Sequence, residues 1–164
     1  MAGYGSDEDF AAYLAASGLT IPTGPGALSA AVLRQRGSDY LDASYEPMLQ
    51  CSQREGGFAQ ERVWPRTGHI VNGQTVTGIP QPWVLASYRA AWLEGNDIGW
   101  ASGTINPNRV VKRQKVGDIE REFFGPGEVS DGGAASATGN VDDKINGIVS
   151  QFFCLARSSR FVVI

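Results

Sequence analysis

The sequence has few of the residue types that build metal and catalytic sites. It contains one histidine, His69, and two cysteines, Cys51 and Cys154, which lie far apart along the chain. No CxxC pair or Cys/His cluster is present, which argues against a zinc site and against a disulfide framework. No nucleophile, base and orienting group can be named together, so an enzyme is not expected. We therefore predict a reduced, non-enzymatic protein with no metal or other cofactor.

Long hydrophobic runs and an excess of positive charge are also lacking. Nowhere do about 18 apolar residues follow one another, so no membrane span is predicted. The acidic run Asp7–Asp9 is unlike the basic start of a signal peptide. The 14 basic and 17 acidic residues give a net charge of -3, which does not favour binding of nucleic acid through bulk charge. We expect a soluble protein of a reducing cytosol.

Apolar spacing predicts helices at residues 6–16, 28–45, 79–95 and 141–152. Ser6 and Asp9 have the spacing of a capping box at the start of the first helix. A further short helix is expected from Phe58 to Val63, ending at Trp64 because the residue before Pro65 is disfavoured in a helix. Gly37 and Gly147 interrupt the second and last helices and weaken both. The hydrophobic content of 42% is enough for one core.

Two β-hairpins are predicted between and after these helices. Asn72-Gly73 is a favoured hairpin turn and lies between the short strand-like runs of residues 69–76. A second hairpin is predicted over residues 109–124, with Gly117-Asp118 between its halves and polar positions dominating both of its sides. We expect it to project outward or to pair with a neighbour. Its mixed charge favours a solvated or inter-subunit strand pair over a DNA groove, which requires charge of one sign and stacking aromatics.

The pattern favours a mainly α (α+β) fold, a small helical bundle with one or two β-hairpins and an extended C-terminal arm. Residues 1–124 form the predicted helical domain with its hairpin. The glycine-rich stretch 125–140 is predicted to be a flexible linker. Residues 141–164 form the last helix and an apolar tail, which is expected to dock against a partner.

Six segments, taken in order, resemble a known family: SDEDFAAYLAASG, ALSAAVLRQRGSDYLD, AQERVWPRTGH, IPQPWVLASYRAAW, KVGDIEREFF and VDDKINGIVSQF. Their most specific part is QERVWPR (Gln60–Arg66) followed by Ile79-Pro80 at the start of a helix. The sequence resembles the phage family of DnaT-like single-stranded-DNA-binding proteins, whose members are similar to head-to-tail connector (adaptor) proteins of tailed phages.

The resemblance implies a structural virion protein that forms a homo-oligomeric ring of about twelve copies under the portal. Its implied partners are the portal protein, an adjacent neck, stopper or tail protein, and genomic DNA that passes through the channel without sequence-specific binding. The implied location is the virion neck, with the host cytoplasm during assembly. The interface residues predicted on this basis are Trp64, Pro65, Arg66, Lys112, Arg113, Lys115, Phe152, Phe153, Arg157, Arg160, Phe161, Val162, Val163 and Ile164.

Two other functions remain open from the sequence. One is a single-stranded-DNA-binding replication accessory protein, as the family label suggests, although the net charge and the lack of an interleaved basic and aromatic surface disfavour it. The other is a different neck component, such as a stopper or tail-completion protein, for which a higher strand content is expected.

Overall fold

A computed structural model describes residues 2–102, 113–116, 119–122 and 140–154, with the backbone alone described in the two four-residue ranges. Several sequence predictions fall outside these ranges. They are the linker 125–139 and the interface residues Lys112, Arg157, Arg160, Phe161, Val162, Val163 and Ile164.

Four α-helices lie in the described part of the chain. They are α1 (Asp7–Ala16), α2 (Ala30–Tyr45), α3 (Gln81–Asn96) and α4 (Asp143–Val149). Side chains at the N-caps of three of them satisfy free backbone amides, as at Ser6, whose Oγ accepts from the backbone N–H of Asp9 at 3.0 Å. Pro80 caps α3 without a side-chain bond, and Pro82 fits its first turn.

The described strands are short and form antiparallel pairs. β1 (Gln53–Arg54) pairs with β2 (Arg66–Thr67), and β3 (Ile70–Val71) pairs with β4 (Gln74–Thr75). β5 (Arg113–Val116) pairs with β6 (Ile119–Glu122). The β3–β4 turn has positive φ at both Asn72 and Gly73, as a type I′ turn requires, at the position where the sequence predicted a hairpin turn.

The core forms where α2 and α3 cross. Gly37 of α2 lies directly on the α3 backbone, since a Cβ added to it would be 2.5 Å from both Ser87 O and Ala91 N. Leu33 and Leu41 of α2 are buried in the same core. α1 covers this pair through Phe10, whose ring centroid is 5.4 Å from that of Tyr88.

α4 belongs to this core, although the sequence prediction assigned it to a separate C-terminal arm. Its Ile145 and Val149 are fully buried, and Phe152, in a short 3-10 helix that follows α4, packs against Trp83. Asn140, just before α4, donates to Trp100 O beyond the carboxyl end of α3. α4 therefore returns antiparallel to α3.

The α+β fold class is confirmed, and the four predicted helices and both hairpins are present. The predicted helix from Phe58 to Val63 was wrong, since only a 3-10 turn at Gly57–Ala59 forms there. The expectation of no disulfide was also wrong: Cys51 and Cys154 are disulfide-bonded, with their Cα atoms 5.6 Å apart. The antiparallel return of α4 brings them together. No helix of the described ranges has the length and apolar content needed to cross a membrane.

Candidate interface

In the Trp64-Pro65-Arg66 corner, which was predicted as an interface, the side chains of Trp64 and Arg66 are buried. Trp64 is 1% exposed, and Trp83 and Phe152 meet its ring edge-on at centroid distances of 5.9 and 5.7 Å. The peptide bond to Pro65 is cis. The burial of Trp64 gives it a packing role, so a subunit contact at this corner must use neighbouring groups.

Arg66 is 6% exposed and holds the chain between the 3-10 helix Glu46–Leu49 and β1. Its guanidinium donates to Leu49 O at 3.0 Å, to Ser52 O at 2.5 Å and to Ser52 Oγ at 2.8 Å. Burial and the nearby Arg54 lower the pKa of Arg66, although Glu46 at 3.7 Å acts in the opposite direction. The three bonds from one buried cation fix the geometry of the corner.

The two phenylalanines predicted at the interface have different environments. Phe152 is buried against the tryptophans, whereas Phe153 is half-buried and stacks on Tyr45 at 5.8 Å. Part of the Phe153 side chain is thus accessible to solvent, one residue before the end of the described range.

The arginines of the described body are engaged in internal ion pairs. Residues 2–102 and 140–154 hold 7 basic and 12 acidic side chains, a net charge of -5. Every arginine of these two ranges contacts a carboxylate at 2.6–3.7 Å. These pairs are Arg34–Asp7, Arg36–Glu94, Arg54–Glu46, Arg62–Asp39, Arg62–Asp42, Arg66–Glu46 and Arg89–Asp142. The body therefore presents an acidic surface.

One of these pairs anchors the amino-terminal segment to the corner. Asp42 accepts from Tyr4 Oη at 2.7 Å and from Arg62 at 3.2 Å, and Tyr4 Oη accepts from the backbone N–H of Trp64 at 3.3 Å. Burial raises the pKa of Asp42, against the opposing effects of Tyr4 and Arg62. The network holds the amino-terminal segment against the corner.

Exposed apolar side chains include Val32 and Met48, at 38% and 45%, and two sets near the ends of α3. The amino-end residues are Phe58, Ile70 and Ile79, which are 109%, 62% and 45% exposed. The carboxyl-end residues are Ile98 and Val141, which are 63% and 67% exposed. A helix of 16 residues is about 24 Å long, so Ile79 and Ile98, which flank α3 along the chain, lie near its opposite ends.

Local contacts position each set. The loop of Phe58 is tied to the corner because Gln60 Nε2 donates to Pro65 O at 2.9 Å. Val141 follows Asn140, whose carbonyl accepts from Tyr40 Oη at 2.6 Å. Sequence reasoning did not find Phe58, although its position after Gly56-Gly57 is a signal for an aromatic side chain on a loop.

The chain matches the family model described as "Putative DnaT-like ssDNA binding protein" over residues 2–161. The chain belongs to this family. No curated protein and no solved structure matches it.

The β5–β6 hairpin carries the predicted interface residues Arg113 and Lys115. The strand register places Arg113 opposite Glu122 and Lys115 opposite Glu120. The interface role of these two residues remains a prediction.

Proposed function

We propose that this member of the DnaT-like family is a non-enzymatic structural virion protein, a head-to-tail connector subunit that forms a ring under the portal. The proposal extends the resemblance of segments such as QERVWPR to phage adaptors. The observation that carries it is the pair of exposed apolar sets at opposite ends of α3. A ring requires two different faces on each subunit, because head-to-tail contacts join unlike surfaces.

Each set offers exposed apolar side chains of the kind that become buried at the centre of a protein interface. Phe58 presents its whole side chain to solvent, and buried aromatic side chains contribute strongly at protein interfaces. Ile98 and Val141 offer aliphatic area at the other end. In the proposed ring, the amino-end residues of one subunit meet the carboxyl-end residues of the next.

The charge of the body suits a channel component. Its six arginines are occupied by internal carboxylates, so few cations remain for phosphate. An acidic wall lets DNA pass without strong adhesion, because affinity for DNA depends mainly on cation–phosphate contacts. The C-terminal tail, with its predicted docking residues, supplies the contact to the portal in this proposal.

Single-stranded-DNA binding is the second candidate, and the family description favours it. Binding of single-stranded DNA requires basic residues that are not held in the arginine–carboxylate ion pairs described above. Arg113, Lys115 and Arg121 lie on β5 and β6, and Arg157 and Arg160 lie in the tail. If this function is correct, replacing these residues removes binding, whereas changes at the ends of α3 have no effect.

The first experiment is a pull-down of the tagged chain from phage-infected lysate, with nuclease treatment and a high-salt wash, followed by mass spectrometry. We expect portal and neck proteins, and we expect their loss on deletion of residues 155–164, which leaves the buried Phe152 and the Cys51–Cys154 disulfide in place. Phe58→Asp and Ile98→Asp should prevent ring formation on the portal, as seen by electron microscopy. Ala12→Asp, on the exposed side of α1, is the matched control and should assemble normally.

A salt titration of oligonucleotide binding separates the two candidates. A phosphate-binding protein loses affinity steeply between low and physiological salt. Recovery of replication proteins alone, or steep salt-dependent binding that is lost in Lys115→Glu, would refute the connector proposal and support the second candidate. Recovery of nothing after nuclease treatment would also count against a connector.

A further inference from the structure

Three potential metal-binding side chains meet beside the Trp64-Pro65-Arg66 corner. One donor atom from each of Cys51, His69 and Cys154 lies within 4.8 Å of the other two. Cys154 is also held there by its backbone, since its N–H donates to Met48 O at 2.9 Å. This cluster has no part in the connector proposal, and the inference from it is independent of that proposal.

The orientation of His69 is the decisive observation. The side chain is 1% exposed, and its Nδ1 lies 2.8 Å from Ser52 Oγ. Its Nε2 is buried and makes no hydrogen bond of normal geometry to a described residue, although the backbone of Phe152 lies close enough to interact with the ring. A buried polar nitrogen without a hydrogen bond of normal geometry is costly, and such a group points to a ligand.

The hydrogen bonds around Ser52 are compatible with a His69 ring that carries its proton on Nδ1. Ser52 Oγ accepts from Arg66 Nε at 2.8 Å and lies 3.2 Å from Leu49 O, to which its single proton is donated. When the Ser52 proton is donated to Leu49 O, Ser52 Oγ accepts from Nδ1–H of His69, and in that tautomer Nε2 carries a lone pair. An imidazole held through one nitrogen with a free lone pair on the other is the form that binds a metal.

We propose that, when the Cys51–Cys154 disulfide is reduced, the two thiolates and His69 Nε2 bind one zinc ion. Thiolate and imidazole ligands are those that zinc prefers, with Zn–S near 2.3 Å and Zn–N near 2.0–2.1 Å. Tetrahedral geometry then separates the sulfurs by roughly 3.8 Å. Cys51 is exposed and Cys154 half-buried, so an ion can enter and a fourth position is open to water.

Reduction of the disulfide and binding of zinc each balance in atoms and charge. A phosphine reductant cleaves the S–S bond and becomes a phosphine oxide, while water supplies the oxygen and the two thiol protons. Zinc then displaces those two protons, and neutral His69 adds through its lone pair. In a reducing compartment the ion takes the place of the disulfide and links the segment after α4 to the turn before β1.

The test compares reduced and oxidised full-length chain under anaerobic conditions. Zinc affinity is measured by competition with a chromophoric chelator, and Co²⁺ is used as a spectroscopic probe. We expect one zinc per reduced chain, no binding by the oxidised chain, and a sulfur-to-cobalt charge-transfer band in the reduced Co²⁺ form. Cys51→Ser, Cys154→Ser and His69→Gln should each weaken zinc binding at least about 100-fold, since each removes a ligand.

Ser52→Ala gives an independent measurement, because it removes the partner that orients His69 but leaves all three ligands. We expect zinc affinity to fall about 10–100-fold. Ser44→Ala, an exposed serine, is the matched control and should bind as the unmodified chain does. Thermal unfolding of each variant checks that it is folded, with the two cysteine variants compared with the reduced unmodified chain. No binding by the reduced chain, undiminished affinity in His69→Gln, or one zinc per two chains would overturn the proposal.

Discussion

Two helical glycines in this chain should respond in opposite ways to the same substitution. A Cβ at Gly37 would lie 2.5 Å from two backbone atoms of α3, whereas a Cβ at Gly147 of α4 would meet nothing within 4 Å. Gly→Ala in a helix interior contributes about 1 kcal/mol of intrinsic stability at either position. The difference between the free energies of unfolding of the two variants therefore measures the cost of crowding the α2–α3 contact.

The size of the stability loss in Gly37→Ala follows from the atoms that Gly37 faces. Overpacking a core costs about 1–3 kcal/mol, and the upper value applies because backbone atoms cannot rotate away from the new methyl group. After the intrinsic gain, Gly37→Ala should lower the free energy of unfolding by about 2 kcal/mol. For a chain of this length that is a fall in Tm of about 4–8 °C. Gly147→Ala should raise the free energy of unfolding by about 0.5–1 kcal/mol.

Urea denaturation of the oxidised chain, followed by tryptophan fluorescence and circular dichroism, measures both variants. Equal m-values are needed for the comparison, since a change in m indicates an altered denatured or native state. If Gly37→Ala were as stable as Gly147→Ala, the close crossing of α2 and α3 would be refuted.

Three further predictions concern the buried corner. Arg66→Ala should lower the free energy of unfolding in urea by about 3 kcal/mol because it leaves buried carbonyls unpaired, whereas the exposed control Lys144→Ala should stay within about 0.5 kcal/mol; equal effects would contradict the assigned bonds. Trp64→Ala should cost about 3–5 kcal/mol through the cavity that it leaves, measured the same way, and a loss below about 1 kcal/mol would contradict its burial. Burial and the Arg66 charge lower the pKa of His69 from its ordinary value of 6.5, while the backbone of Phe152 opposes the shift. The unfolded chain then binds more protons, so the free energy of unfolding of the oxidised chain should fall as pH drops below about 6.5 through the folded-state pKa. A pH series of urea unfolding should show this slope, and His69→Gln should flatten it; a slope unchanged in that variant would assign it to another group.

Local sequence was sufficient for most of the secondary structure. The capping serine before α1, the proline in the first turn of α3 and the Asn72-Gly73 turn act within a few residues, so their effects can be predicted without knowing the fold. Helical spacing likewise predicted the four helices. The exception was the segment from Phe58, where short-range pattern favoured a helix but the chain instead follows the hydrogen bonds of Gln60 and Arg66.

The interaction surface depended on burial, which local pattern does not reveal. Trp64 and Arg66 were predicted at an interface from their place in a motif, but the structure uses both to build the core. Phe58, in contrast, is fully exposed. A tryptophan and an arginine can each be buried or exposed, and the packing of distant segments decides between these states.

The sequence by itself determined the class of fold, the helices with their caps, the central hairpin and the acidic character of the protein, because these depend on composition and on neighbours along the chain. Only the tertiary structure decided which residues from distant parts of the chain are in contact. The antiparallel return of α4 brings Cys154 to Cys51 and His69, and the crossing of α2 and α3 makes Gly37 a contact point. Both are long-range events, whose partners are separated by many residues and are selected by the packing of the whole core.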